Sequence, residues 1–177
     1  MNPSPQLRTS MMYGTISGLA SFLVFIIIYV IGKNPLGPAS WFAFWIPILF
    51  VTLGIQHHRD KDLGGFISYG RGLGTGTFIA FFIALLFSVL AYAFLTFIGH
   101  DVLEMHKNDM MEGLDKAKQY VGESIYDKGV EEVEKLTLEK ISLSEFQNKF
   151  IGGVILSLII AAFLRRKQSI FEKPADE

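Results

Sequence analysis

Three groups of residues in this 177-residue chain have side chains that could do chemistry. His57-His58, followed by Asp60 and Asp62, offers nitrogen and oxygen ligands within one short stretch. A tetrahedral metal site needs donors that converge, and outer partners that orient them. Adjacent histidines point to different faces of a helix, so the stretch reads as a solvated cytoplasmic loop. His100, Asp101, Glu104 and His106 form the second group. His100 and Glu104 share a helical face while Glu104 and His106 do not, and the group reads as a polar helix end. The third is the glycine-rich stretch Tyr69-Gly70-Arg71-Gly72-Leu73-Gly74-Thr75-Gly76. A dinucleotide fingerprint requires a preceding strand, which the surrounding apolar blocks exclude. A helix N-terminus beside Arg71 could receive a lipid phosphate. Close helix packing through Gly72 and Gly76 is the preferred reading. The chain has no cysteine, so thiol catalysis and disulfides are out. No serine, histidine and acid are arranged as in a hydrolase. No catalytic residue, cofactor or metal centre is therefore expected, and the chain is not expected to be an enzyme.

The elements that would position these residues are apolar blocks. Half of the residues are hydrophobic, and they cluster into runs over Met11–Gly32, Ser40–Gln56, Gly72–Gly99 and Phe146–Leu164. The first three contain no Asp, Glu, Lys, Arg or His; the fourth is read as one of the same kind. Each is near the ~17–25 residues that a helix needs to cross the hydrocarbon of a bilayer. The second is the shortest. The expected fold is all-α: a polytopic membrane protein with four transmembrane helices and a helical extracytoplasmic insertion between the third and fourth. In numbers, 1–10 is a loose cytoplasmic tail, 11–99 holds helices one to three, 100–145 is the insertion, 146–166 is helix four, and 167–177 is a second cytoplasmic tail. The first run reads as a retained helix rather than a cleaved signal peptide. Only Arg8 precedes it, and it exceeds the ~7–15 residues of a signal's apolar core.

Charge sets the expected orientation. Arg8, Arg59, Arg71, Arg165 and Arg166 all fall on one side, with Lys61, Lys167 and Lys173, while the first short loop has only Lys33. The positive-inside bias puts both termini in the cytoplasm, and the long insertion does not overturn it despite its lysines. Trp41 and Trp45 then sit at the outer interface as anchors. The formal net charge of −1 argues against nucleic acid as a partner.

Small residues and amphipathic spacing point to surfaces. Gly14 and Gly18, Gly72 and Gly76, and Gly152 and Gly153 would let helices approach closely, within one chain or across a homodimer seam. Pro47 is expected to kink the second helix near its middle. In the insertion, Leu103, Met110, Leu114, Ala117, Val121 and Ile125 fall on one face of a helix. Glu112 with Lys116, Asp115 with Lys118 and Glu131 with Lys135 offer ion pairs along it. Gly129 reads as a helix stop, Val130, Val133 and Leu136 as a second short helix that carries the Glu131–Lys135 pair, and Ser142-x-x-Glu145 as the capping box of the fourth helix. The insertion is acidic, which disfavours an anionic lipid surface. Leu103, Met110, Leu114, Val121 and Ile125 are thus the candidate partner-binding residues.

The chain resembles the bacterial membrane proteins grouped as domain of unknown function 4199. The likeness rests on Gly14 to Gly18, on Gly54-Ile55 through Arg59-Asp60 to Gly64-Gly65-Phe66-Ile67-Ser68-Tyr69, on the acidic segment, and on Ser157 to Leu164 before the basic tail. It implies a four-helix inner-membrane protein with a helical insertion outside. It implies no activity and transfers no functional residue. The first expectation for function is a non-enzymatic membrane component that binds the bilayer and a second membrane protein, or itself. The alternative is a small oligomeric transporter or channel, which would need a polar path built from hydroxyls such as Ser17, Ser21, Thr52, Thr75, Thr77, Ser88, Tyr92, Thr96 and Ser157.

Overall fold

A computed structural model describes residues 4–166. It contains six α-helices among the described residues: α1 (Pro5–Val30), α2 (Trp45–His57), α3 (Tyr69–Phe97), α4 (Val102–Ala117), α5 (Glu123–Glu134) and α6 (Leu138–Leu164). A 3₁₀ helix over Pro38–Ala43 leads into α2, and a π turn over His58–Asp62 extends it. The segments Pro5–Val30, Pro38–Asp62, Tyr69–Phe97 and Leu138–Leu164 are long and apolar enough to cross a membrane. The expected all-α fold with four spans, and with a helical insertion between the third and fourth, is what forms.

Helix α3 is the centre of the bundle, packed on α6, α1 and α2. The small residues explain how. A Cβ on Gly14 would come within 2.5 Å of Phe82 Cβ, and one on Gly153 within 2.5 Å of Ala80 Cβ. Gly76 faces Ser157 and Gly72 faces Ala161. Gly18 sits against Leu86. These five glycines are used in packing inside the chain. Gly152 has open space beside it instead. Two apolar cores result. One gathers Phe25, Phe87, Phe94, Leu95, Val102 and Ile141 near the insertion. The other gathers Val51, Ile55, Ile67, Ile79 and Ile83 near the opposite, arginine-bearing end.

Several boundaries differ from the sequence reading, each for a physical reason. Residues 5–10 are not a loose tail. Pro5 opens α1 at a position where its missing N–H costs nothing, and Ser4 caps it by accepting from Leu7 N. Thr9 and Ser10 are buried, and Ser10 Oγ donates to the Thr75 carbonyl of α3 at 3.3 Å. Pro47 does not kink the middle of a helix. It lies in the first turn of α2, where the backbone donors have no intrahelical partner anyway. Helix α6 starts at Leu138 rather than near residue 146. Its cap is Thr137, which accepts from Lys140 N. Ser142 therefore lies inside the helix, where its hydroxyl ties α6 to α3 by donating to the Ser88 carbonyl at 3.1 Å. Glu145 is no capping residue, and it pairs with Lys149 at 3.3 Å. The fourth run is thus not free of charge: reading Phe146–Leu164 as a plain apolar block passed over Lys149.

The insertion is two helices, as expected, but the break falls between Ala117 and Glu123 rather than at Gly129. Helix α4 ends at Ala117 in a tightened last turn, with Tyr120 N donating to the Ala117 carbonyl. The chain then turns back as α5. Leu114 lands on Gly129, whose absent side chain makes room for it, so Gly129 is a packing position and not a stop. Tyr126 donates to Asp115 at 2.7 Å, and Lys118 sits over the Tyr126 ring instead of pairing with Asp115. The Glu112–Lys116 and Glu131–Lys135 pairs do form. Residues 167–177 of the expected second tail, with Lys167 and Lys173, lie outside the described residues, as do residues 1–3.

Candidate functional site

The densest polar structure lies where α2 ends, at the arginine-bearing end. The segment His57 to Asp62 is helical rather than a solvated loop, and His58 and Arg59 are 5% and 9% exposed. A π turn widens the helix by one residue per turn and is common at functional sites. Here it brings His58 Nδ1 to 2.7 Å from Asp62 Oδ2, which also accepts from Thr9 Oγ1 at 3.3 Å. Arg59 makes a two-point pair with Asp60, Nε to Oδ1 at 2.6 Å and one terminal nitrogen to Oδ2 at 3.0 Å. Its other terminal nitrogen donates to the carbonyl of Leu164, the last residue of α6. Such a helix-end carbonyl has no acceptor role left inside its own helix, so a guanidinium satisfies it well. The His57 ring lies tilted against Tyr13, whose hydroxyl is 3.3 Å from His57 Nδ1.

The glycines that follow close the knot. Gly64 and Gly65 take φ of +65° and +90°, a conformation costly for other residues. The reversal lets Gly65 N donate to the Arg59 carbonyl, and lets Ile67 and Arg166 exchange two backbone bonds at 3.0 and 3.1 Å. The ends of α2, α3 and α6 are thereby tied together. Ser68 then caps α3 by accepting from Arg71 N. That bond occupies a donor that a lipid phosphate would use. The Arg71 side chain itself is exposed, with no hydrogen bond or ion pair among the described residues. Among those residues, no three of His, Asp and Glu could hold a metal ion together.

At the insertion end, the second predicted group is dispersed. His100 and Glu104 are exposed. Asp101 accepts from Tyr29 at 3.1 Å. His106 reaches the turn after α1, 3.4 Å from Asn34 Nδ2, which also donates to Asp109 at 2.8 Å. Burial pushes the His106 imidazole below its ordinary pKa, against the opposing pull of Glu145 and Asp109. The candidate partner-binding residues also divide. Leu103 packs onto the phenylalanine core and Leu114 onto α5. Val121 lies in the turn between the helices, half-buried. Met110 and Ile125 stay exposed, Ile125 at 63%, beside Tyr120 at 82%.

A family model described as protein of unknown function (DUF4199) matches residues 12–166. The chain belongs to that family. The match spans the four candidate spans and the insertion. No curated protein and no solved structure matches the chain. The DUF4199 resemblance read from Gly14 to Gly18 and from Gly54 to Tyr69 thus falls on α1 and on the knot. Sequence reasoning missed the burial of His58 and Arg59, and the Glu145–Lys149 pair. The second had a signal, since an ionisable residue within an apolar span marks a functional position by default.

Proposed function

We propose that this DUF4199 chain is a non-enzymatic membrane component that binds a protein partner through the α4–α5 hairpin. One observation carries the reading. After the first turn of α4 docks on the bundle through Val102, Leu103 and Met105, the two helices pack chiefly on each other. Exposed Met110, Tyr120 and Ile125 are left around it. A folded hairpin that contributes so little to the bundle is best explained by a contact outside it. Its charge names the partner's character: residues 102–134 hold nine acids against four lysines, so a basic protein surface fits and a second copy of this hairpin repels. Self-assembly through the small residues is less favoured, because Gly14, Gly18, Gly72, Gly76 and Gly153 already pack inside and only Gly152 of that set has open space.

The distribution of the five arginines supports an inner-membrane orientation with both termini in the cytoplasm and the hairpin outside. The transporter reading is weaker. Thr52, Thr75, Ser88, Thr96 and Ser157 each donate to a carbonyl of their own helix, the ordinary use of hydroxyls in apolar helices. A photo-crosslinker placed at position 125 tests the proposal, with position 89, on the exposed face of α3, as control. The expected result is one defined protein adduct from 125 and none from 89. Adducts only with lipid, or only with a second copy of the chain, would refute it.

A further inference from the structure

The bundle has a cavity of about 440 Å³ between α6 and the start of α2, floored by α1 and α3. Its volume lies within the ~300–1,000 Å³ of small-molecule sites. Most of its wall is apolar: Phe25, Phe44, Pro47, Ile83 and Leu156 among others. Gly152 opens it, having nothing within 4 Å of where a Cβ would stand. Three polar features break the apolar wall. Ser21 lines it, is 5% exposed, and its Oγ has no hydrogen-bond partner. A buried hydroxyl left unpaired is unfavourable unless something arrives to pair with it. Glu145 and Lys149, an ion pair one turn apart on α6, also line it. Asn148 stands between them.

These groups lie at one level of the bundle. Gly18 faces Ile83 and Leu86, so Ser21, almost one turn on, reaches the level of Phe87. Gly153 faces Ala80, and Lys149 Nζ, one turn back, sits 3.8 Å from the centre of the Phe87 ring. The wall toward the arginine-bearing end, past Gly152 and Leu156, is apolar. The cavity therefore has a polar storey, and an apolar slot that runs deeper into the span. An ion pair there is costly in hydrocarbon and marks a site.

We propose that this cavity binds one zwitterionic, amine-bearing phospholipid, with a single acyl chain in the slot. At about 30 Å³ per water-sized group, the space holds roughly fifteen such groups, enough for the ester and the upper part of one chain. The headgroup phosphate takes Lys149 Nζ and the ammonium takes Glu145. Ser21 Oγ donates to an ester carbonyl beneath them. A net-neutral pair prefers a net-neutral headgroup over an anionic one.

The full chain, delipidated in mild detergent, is mixed with phosphatidylethanolamine or phosphatidylglycerol and measured by native mass spectrometry. Wild type is expected to retain one phosphatidylethanolamine, about tenfold more strongly than phosphatidylglycerol. Lys149→Gln should weaken retention about tenfold by removing a charge-assisted hydrogen bond. Gly152→Leu, which grows into the open slot, should abolish it, with the thermal melt confirming that the variant folds. Ser21→Ala, too small a change to unfold the chain, should weaken it severalfold. Equal retention of the two lipids, equal retention by wild type and all three variants, or binding only of a soluble single-chain amphiphile would overturn the proposal.

Discussion

The two ends of the bundle handle their polar residues in opposite ways. At the arginine-bearing end, His58 and Arg59 turn inward, the carboxylates of the exposed residues Asp62 and Asp60 pair with them, and the Ile67–Arg166 bridge ties α3 to α6. At the insertion end, Asp101, His106 and Asp109 meet α1 and the turn after it, while the remaining charges stay on the outside of a hairpin, where exposed ion pairs contribute at most a few tenths of a kcal/mol each. One end spends its polar groups on holding helices in register. The other leaves most of them available to something else. The difference teaches that polarity alone does not identify a binding surface in such a chain: the most charged short stretch is the most internally committed.

Substitutions can break or sharpen that contrast. The largest effect is expected at the helix contacts that both ends depend on. Gly76→Leu would drive a side chain into Ser157 and force α6 from α3, costing about 3 kcal/mol or more and lowering the yield of folded protein in detergent. Arg59→Ala should come next. It frees the Leu164 carbonyl and leaves Asp60 without its partner, and a loss of about 2 kcal/mol should appear in a thermal melt. Gly65→Ala should cost about 1 kcal/mol, because its φ of +90° strains a side chain. At the other end, Ile125→Ala and Tyr120→Ala should change stability by no more than about 0.5 kcal/mol while weakening partner capture.

The smallest effect is one of pH. The folded pKa of His106 lies below its unfolded value of 6.5, so the folded state binds fewer protons in that window. Stability of the α4 docking is fully present above about 6.5 and falls as the pH drops through the folded value. Protonation also removes the lone pair that Asn34 uses. Hydrogen exchange over residues 102–109 should therefore quicken in mild acid, and His106→Gln should flatten the response.

What was legible in the sequence follows from the range of the forces involved. The four spans show as blocks because hydropathy is additive along a helix. The early starts at Pro5 and Leu138 did not show, because polar turns extend a helix when tertiary partners such as Thr75 and Ser88 receive them. Val121 and Ile125 fit one face with Leu114 on paper. The chain instead folds back there, because Leu114 on Gly129 and Tyr126 on Asp115 reward a hairpin. His58 and Asp62 stand at the helical spacing of four, but the burial of His58 comes from the packing of the bundle around it, which that spacing alone does not show. Lys149 is a single charge among apolar neighbours, and average hydropathy hides it although its pair with Glu145 sits at helical spacing.

The most direct test of the central claim is the mass of the intact particle in mild detergent. The wild-type chain is compared with one in which residues 110–130 are replaced by a flexible linker, which leaves Met105 and Val133 in place. The account predicts a wild-type particle that contains a second, different protein, lost on replacement while the thermal melt of the four-helix bundle is kept. Particles holding only this chain, of the same mass with and without the hairpin, would contradict it.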